Sequence, residues 1–220
     1  MIKKITLLIL SIILISPAVS ASTTANVKVS GEIKMPTCLI NGNEQSDFIF
    51  ELINISTNQL HKTSYMTFSS PRKNKLTVTC DAETYLAYSA TDTYENTPWN
   101  TLDTARRFSM VLSDDTDKSI GAVMFTVSDV TIDSKEAVIS TRGYGGNYSK
   151  YLPKSVLNSF STEYSSDLSN KFTSGQVFSV SFSTDTFYIG STDELTDTGI
   201  DLASSVDYQA EAVLAFNFGI

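Results

Sequence analysis

Tyr208-Gln209-Ala210-Glu211-Ala212-Val213-Leu214-Ala215-Phe216-Asn217-Phe218-Gly219-Ile220 is the stretch that decides the fold. Tyr208, Ala210, Ala212, Leu214, Phe216, Phe218 and Ile220 keep one parity, the period-two alternation of a strand with one face on a core. The pattern runs to the last residue, so Leu214, Phe216, Phe218 and Ile220 are expected to form a C-terminal edge strand with no later segment to pair with it. An exposed edge invites pairing with another polypeptide, and strand addition in trans is one way to satisfy it.

Working back from that end, the same alternation recurs in Leu76–Cys80, Leu86–Ala90, Phe108–Leu112, Val123–Val127, Ala137–Thr141 and Phe178–Phe182. Turn-forming clusters separate these runs, among them Asn41-Gly42-Asn43, Ser113-Asp114-Asp115-Thr116-Asp117 and Gly143-Tyr144-Gly145-Gly146-Asn147. Short strands punctuated in this way predict an all-β chain folded as a β-sandwich, in one domain. Residues 144–171 carry little periodicity and read as a long loop with a short helix around Lys154–Phe160.

At the other end, Lys3 and Lys4 precede an aliphatic run from Ile5 to Ile15, and Pro17 leads into the small residues Val19-Ser20-Ala21. This is the layout of a secretory signal peptide. The run would span only about 16 Å as a helix, too short for a bilayer core of roughly 30 Å. Residues 1–21 are therefore expected to be removed, leaving no membrane segment.

Export gives the two cysteines their meaning. In an oxidising compartment a lone pair of cysteines in a small domain usually joins, so Cys38 and Cys80 are expected to form a disulfide. A loop of this length is worth about 4 kcal/mol in the chain-entropy account. The remaining composition excludes chemistry. With one histidine and two cysteines, a Cys/His zinc site lacks ligands, and a cysteine nucleophile has only His61 as a base. Twenty-four acidic against 16 basic side chains give a net charge of −8, the wrong sign for a phosphate-backbone binder. No cofactor, metal, catalytic residue or nucleic-acid partner is expected.

Near the start of the exported chain, Val27-Lys28-Val29-Ser30-Gly31-Glu32-Ile33-Lys34-Met35-Pro36-Thr37-Cys38 alternates apolar and polar residues, with a glycine seven positions before the cysteine. It resembles the N-terminus of chaperone/usher pilus subunits. Phe50-Glu51-Leu52-Ile53-Asn54-Ile55 followed by Leu60 is similar to the segment after the first pilin cysteine. Leu76-Thr77-Val78-Thr79-Cys80-Asp81 is similar to the strand that carries the second. More narrowly, Cys80-Asp81-Ala82, Tyr88-Ser89-Ala90-Thr91-Asp92, and Phe108–Leu112 with Ile120-Gly121-Ala122 resemble a family of exported fimbrial-like proteins of largely unassigned function.

The resemblance implies an immunoglobulin-like β-sandwich of pilin type, incomplete and needing a donated strand. Residues 22–34 would be a donor-strand-like extension and 35–220 the pilin-like domain. Val27, Val29 and Ile33 would be donor side chains, with Gly31 at a shallow pocket. The implied partners are a periplasmic pilus chaperone and other fimbrial subunits, and the implied location is the periplasm, cell surface or fimbrium. Two features depart from the pilin pattern: Gly219 stands next to last where a tyrosine is usual, and Asp207 stands where a glycine is usual. The chain is also longer than a major pilin, which suits a minor or tip subunit in cell adhesion.

Other readings stand beside this one. Val27–Ile33 is alternatively the first strand of its own sandwich. Trp99, next to Pro98 and Asn100 with Tyr94 nearby, is either a core residue or a stacking platform for a host or surface glycan. The latter would make the chain a self-contained secreted carbohydrate-binding or adhesin module. The Asp114–Asp117 and Asp193–Asp201 clusters read as solvated turns rather than calcium loops, and His61 as a loop cap.

Overall fold

The computed structural model describes residues 25, 27–32, 35–47, 49–70, 72–100, 105–143, 150–165 and 172–219. The expected signal peptide over 1–21, Ile33, Ile220 and much of the expected 144–171 loop lie outside them. The chain divides into two units, Met1–Lys34 and Met35–Ile220.

The second unit is all but entirely β. Its strands are β1 (Cys38–Ile40), β2 (Met66–Phe68), β3 (Lys73–Thr84), β4 (Leu86–Asp92), β5 (Phe108–Leu112), β6 (Ser119–Ile132) and β7 (Lys135–Glu136). They continue as β8 (Val138–Thr141), β9 (Asn158–Ser161), β10 (Gly175–Ile189), β11 (Tyr208–Gln209) and β12 (Ala212–Phe218). A short helix α1 (Thr192–Asp197) follows β10, with the Ser191 side chain accepting from the Glu194 N–H as its N-cap. The acidic stretch expected to be a turn from Asp193 thus begins as a capped helix, with Asp193 and Glu194 in the first turn, where the helix dipole favours them.

All strand pairs are antiparallel. One sheet has the order β1-β3-β10-β6-β5-β11, with β2 on β10 and β7 on β6; the other has the order β12-β4-β9-β8. Alternation sets which side chains meet between them. Leu76, Val78 and Cys80 of β3, Phe178, Val180 and Phe182 of β10, and Phe108 and Met110 of β5 are buried in one core with Leu86, Tyr88 and Ala90 of β4 and Phe160 of β9. Rings interlock across the two sheets: Tyr88 packs on Phe182 at 6.1 Å, and Phe160 on Phe178 at 5.3 Å. Edge-to-face contacts at such distances add to the burial of apolar area.

The six interior runs expected from alternation fall in strands, save Ala137, which stands between β7 and β8. The helix expected around Lys154–Phe160 does not form: β9 occupies Asn158–Ser161, and Lys154 makes a parallel bridge to Ala90. The reason is composition: β9 is Asn158-Ser159-Phe160-Ser161, all four buried with Phe160 the one apolar residue, so the strand carries no apolar alternation to read. Residues 150–161 also supply Leu152 and Phe160 to the core, so this half of the expected loop is structural.

The C-terminal pattern is likewise two strands rather than one. β11 pairs with β5 in the first sheet, and after Ala210-Glu211 the chain pairs with β4 in the second as β12. Parity survives the crossing, which is why the sequence reads as continuous.

The expected disulfide is present. Cys38 and Cys80 are direct cross-strand partners in β1 and β3, and the bond joins them. At Gly121, β6 passes so close to β10 that an added Cβ would stand 1.9 Å from the Tyr188 carbonyl oxygen, so only glycine fits.

Candidate functional site: an open groove along the C-terminal edge strand

Among the described residues, the partly exposed apolar side chains of the core gather along one line. The apolar residues that pack on the core yet remain partly exposed are, with the exceptions of Cys38 and Phe68, all on the wall of a single groove of about 1340 Å3. Its floor is made of core residues, among them Leu76, Val123, Phe125 and Phe182. One wall is β12, whose Ala212, Leu214 and Phe216 face inward while Val213 is exposed. The other wall is the strandless segment carrying Phe50, Leu52 and Ile55. Leu195 of α1, with Ile200 and Leu202, closes one end.

Two backbone facts make the groove unusual. β12 pairs with β4 on one side, and among the described residues no strand pairs with its other side. The facing wall, residues 49–56, is in no strand either. The unpaired backbone edge of β12 therefore lies beside an apolar trough, open to an added strand. Tyr208 reaches across it, its hydroxyl donating to the Ile53 carbonyl at 3.1 Å, and burial pushes its phenol pKa up. The rim is acidic: Glu44, Asp47, Glu51, Asp207 and Glu211 line it, and no Lys, Arg or His does.

The expected site residues distribute as follows. Leu214 and Phe216 lie on the groove wall; Phe218, of the same parity, is exposed beyond it, because the trough ends before the strand does. In the first unit, Val27 and Val29 are exposed and residues 27–32 are in no strand. A Cβ at Gly31 would meet nothing within 4 Å.

Trp99 is neither fully buried nor free. It sits half-buried against Tyr188 and Tyr65, with Arg107 nearby. Tyr94 is not part of this group; its hydroxyl accepts from Gln209 Nε2 at 2.8 Å. His61 shares a hydrogen bond with Ser64, and its carbonyl accepts from the first backbone N–H of α1, so it does anchor a loop. Among the described residues no group of three or more His, Cys, Asp or Glu is placed to hold a metal, and no helix is long and apolar enough to cross a membrane.

Sequence reasoning missed the charged pin of the fold. The Asp92 side chain, fully buried at the end of β4, accepts from Lys154 Nζ at 3.0 Å and from the Ser109 N–H at 2.9 Å, tying the second sheet to the first. In the quoted run Tyr88–Asp92, Asp92 is the one charged residue and shares the core parity of Tyr88 and Ala90, but nothing in the sequence names its partner 62 positions later.

No protein-family model matches this sequence. No curated protein matches it either.

Proposed function

We propose that this chain is an exported structural subunit of the chaperone/usher fimbrial kind, an incomplete pilin-type immunoglobulin-like sandwich completed by a strand from another polypeptide. The observation that carries the reading is the groove: apolar core exposed alongside the unpaired edge of β12. β12 has seven residues, about 24 Å of strand. Val27 to Ile33 is a segment of the same length, with apolar residues at alternate positions.

Val27, Val29 and Ile33 supply side chains of the kind the trough would bury, and Gly31 the small one. Three such aliphatic groups at about 1.5 to 3 kcal/mol each give roughly 5 to 9 kcal/mol before ordering costs. Lys28 stands within this segment and Lys34 directly follows it, both opposite in sign to the acidic rim, with Glu32 as the one acidic residue. The donor is this segment of another subunit or the strand of a periplasmic chaperone, and the disulfide accords with an oxidising compartment outside the cytosol. No catalytic role enters this reading.

The test is addition of a strand in trans. Chain beginning at Ser22 and purified alone is expected to self-associate, and a peptide spanning Ala25–Met35 to convert it to a soluble complex with a higher melting temperature. A chain shortened to begin at Glu32 that stays monomeric, unfolds cooperatively and ignores the peptide would sink the proposal.

A further inference from the structure

The outer face of the first sheet carries a second polar feature, remote in kind from the groove. Tyr188 of β10, Ala122 of β6 and Ser109 of β5 stand side by side in register. Because Ala122 and Ser109 are small, side chains from the β4–β5 connection settle onto that row. Trp99 stacks on Tyr188 with centroids 6.1 Å apart and planes 19° apart, and Tyr65 stands edge-on to Trp99 at 5.4 Å. The Arg107 guanidinium carbon lies 4.2 Å from the Tyr188 ring centroid and 6.0 Å from that of Trp99, within cation–π range of both.

This cation–aromatic box is unfinished. Arg107 Nε and Nη1 and Trp99 Nε1 are buried and have no hydrogen-bond partner. Buried donors are almost always paired, and a half-buried guanidinium with two of its three nitrogens out of reach of water favours an anionic partner. Both residues line one cavity of about 10 Å3, together with Pro98, Asn100, Ser109, Ala122 and Lys154, which has room for a single oxygen-sized atom. Lys154 is already neutralised by Asp92, and among the described residues no carboxylate forms an ion pair with Arg107. Glu194 is the other acid in the neighbourhood, beside Gly190 with the indole nitrogen, and it makes no hydrogen bond to Trp99. The box therefore offers unsatisfied N–H donors, one unmatched positive charge and an aromatic platform, Tyr65, that is 45% exposed.

We propose that this box is a binding site for a sugar carrying a single carboxylate, of the uronate class. A carboxylate oxygen fills the cavity and accepts from Arg107 and Trp99 Nε1, while the C–H face of the pyranose ring lies against Tyr65. One unmatched charge favours a monoanion over a phosphate dianion, and the exposed ring favours a sugar over an acidic peptide side chain.

Trp99 is the sole tryptophan of the chain, so its fluorescence reads this site and no other. Titration of the disulfide-intact full chain with sodium glucuronate is expected to give a saturable change in emission that glucose does not give. Arg107→Gln should weaken it at least tenfold, with Arg107→Lys intermediate because a point charge cannot replace the planar donor set. If Arg107 variants fail to fold, Tyr65→Ala, at a position 45% exposed, should still raise the glucuronate midpoint severalfold while the chain keeps a cooperative melt only a few degrees lower. Equal responses to glucose and glucuronate, an equal or tighter midpoint for N-acetylglutamate or inorganic phosphate, or reproduction of the change by sodium chloride at matched ionic strength would each overturn the assignment.

Discussion

Tyr88 shows how finely the core is filled. It packs on Phe160, Phe182 and Phe216, is almost wholly buried, and its hydroxyl has no partner. Removing an unsatisfied buried hydroxyl removes a desolvation penalty, so Tyr88→Phe should raise stability by about 1 kcal/mol in a urea titration. Asp92 is the opposite case, a buried charge with every partner in place. Asp92→Ala strands Lys154 and the Ser109 N–H, and should cost about 3 to 5 kcal/mol by the same titration. The pH dependence follows from burial, which raises the phenol pKa of both Tyr88 and Tyr208 above the ordinary value. A group whose pKa is higher folded than unfolded contributes stability that is complete below the unfolded pKa of about 10 and is lost as pH rises past it. Melting temperature should accordingly hold between about pH 7 and 9 and fall above about 10, less steeply in Tyr208→Phe. None of these partnerships is legible in the sequence, because Asp92, Ser109 and Lys154, or Trp99, Arg107 and Tyr188, come from segments far apart in the chain.

At the scale of elements, parity decides what each face of β12 does. Leu214 is half-buried on the groove wall, whereas Val213, of the opposite parity, touches the groove and is 52% exposed, so Leu214→Asp should weaken capture of the Ala25–Met35 peptide at least tenfold by calorimetry and Val213→Asp should weaken it less. Gly121→Ala should cost about 1 to 3 kcal/mol, since the β6 and β10 backbones must part to admit a methyl group. β3, β5 and β10 announce themselves because apolar and polar residues alternate in their sequence, even where the polar ones, such as Ser109, Ser179 and Ser181, are buried too. β9 does not, because three of its four buried residues are Asn or Ser, and the β11 to β12 crossing is silent because it keeps the parity on each side. The edge residues Leu214 and Phe216 were readable from the same alternation; the acidic rim and the strandless facing wall were not, since they depend on where residues 44–57 lie in space.

At the scale of the molecule, the two sheets meet over one core that is partly uncovered along β12, and the Cys38–Cys80 bond lies at the root of the segment walling that groove. Opening the disulfide should lower stability by about 4 kcal/mol, seen as a drop in melting temperature on adding reductant. The wall segment, residues 49–56, falls wholly within the loop that this bond closes. A protease that cuts the wall of an empty groove would therefore leave both pieces attached: the nicked chain would keep its full mass on a non-reducing gel and separate into two fragments only when reduced. Damage at the open side of the fold is in this way covalently retained.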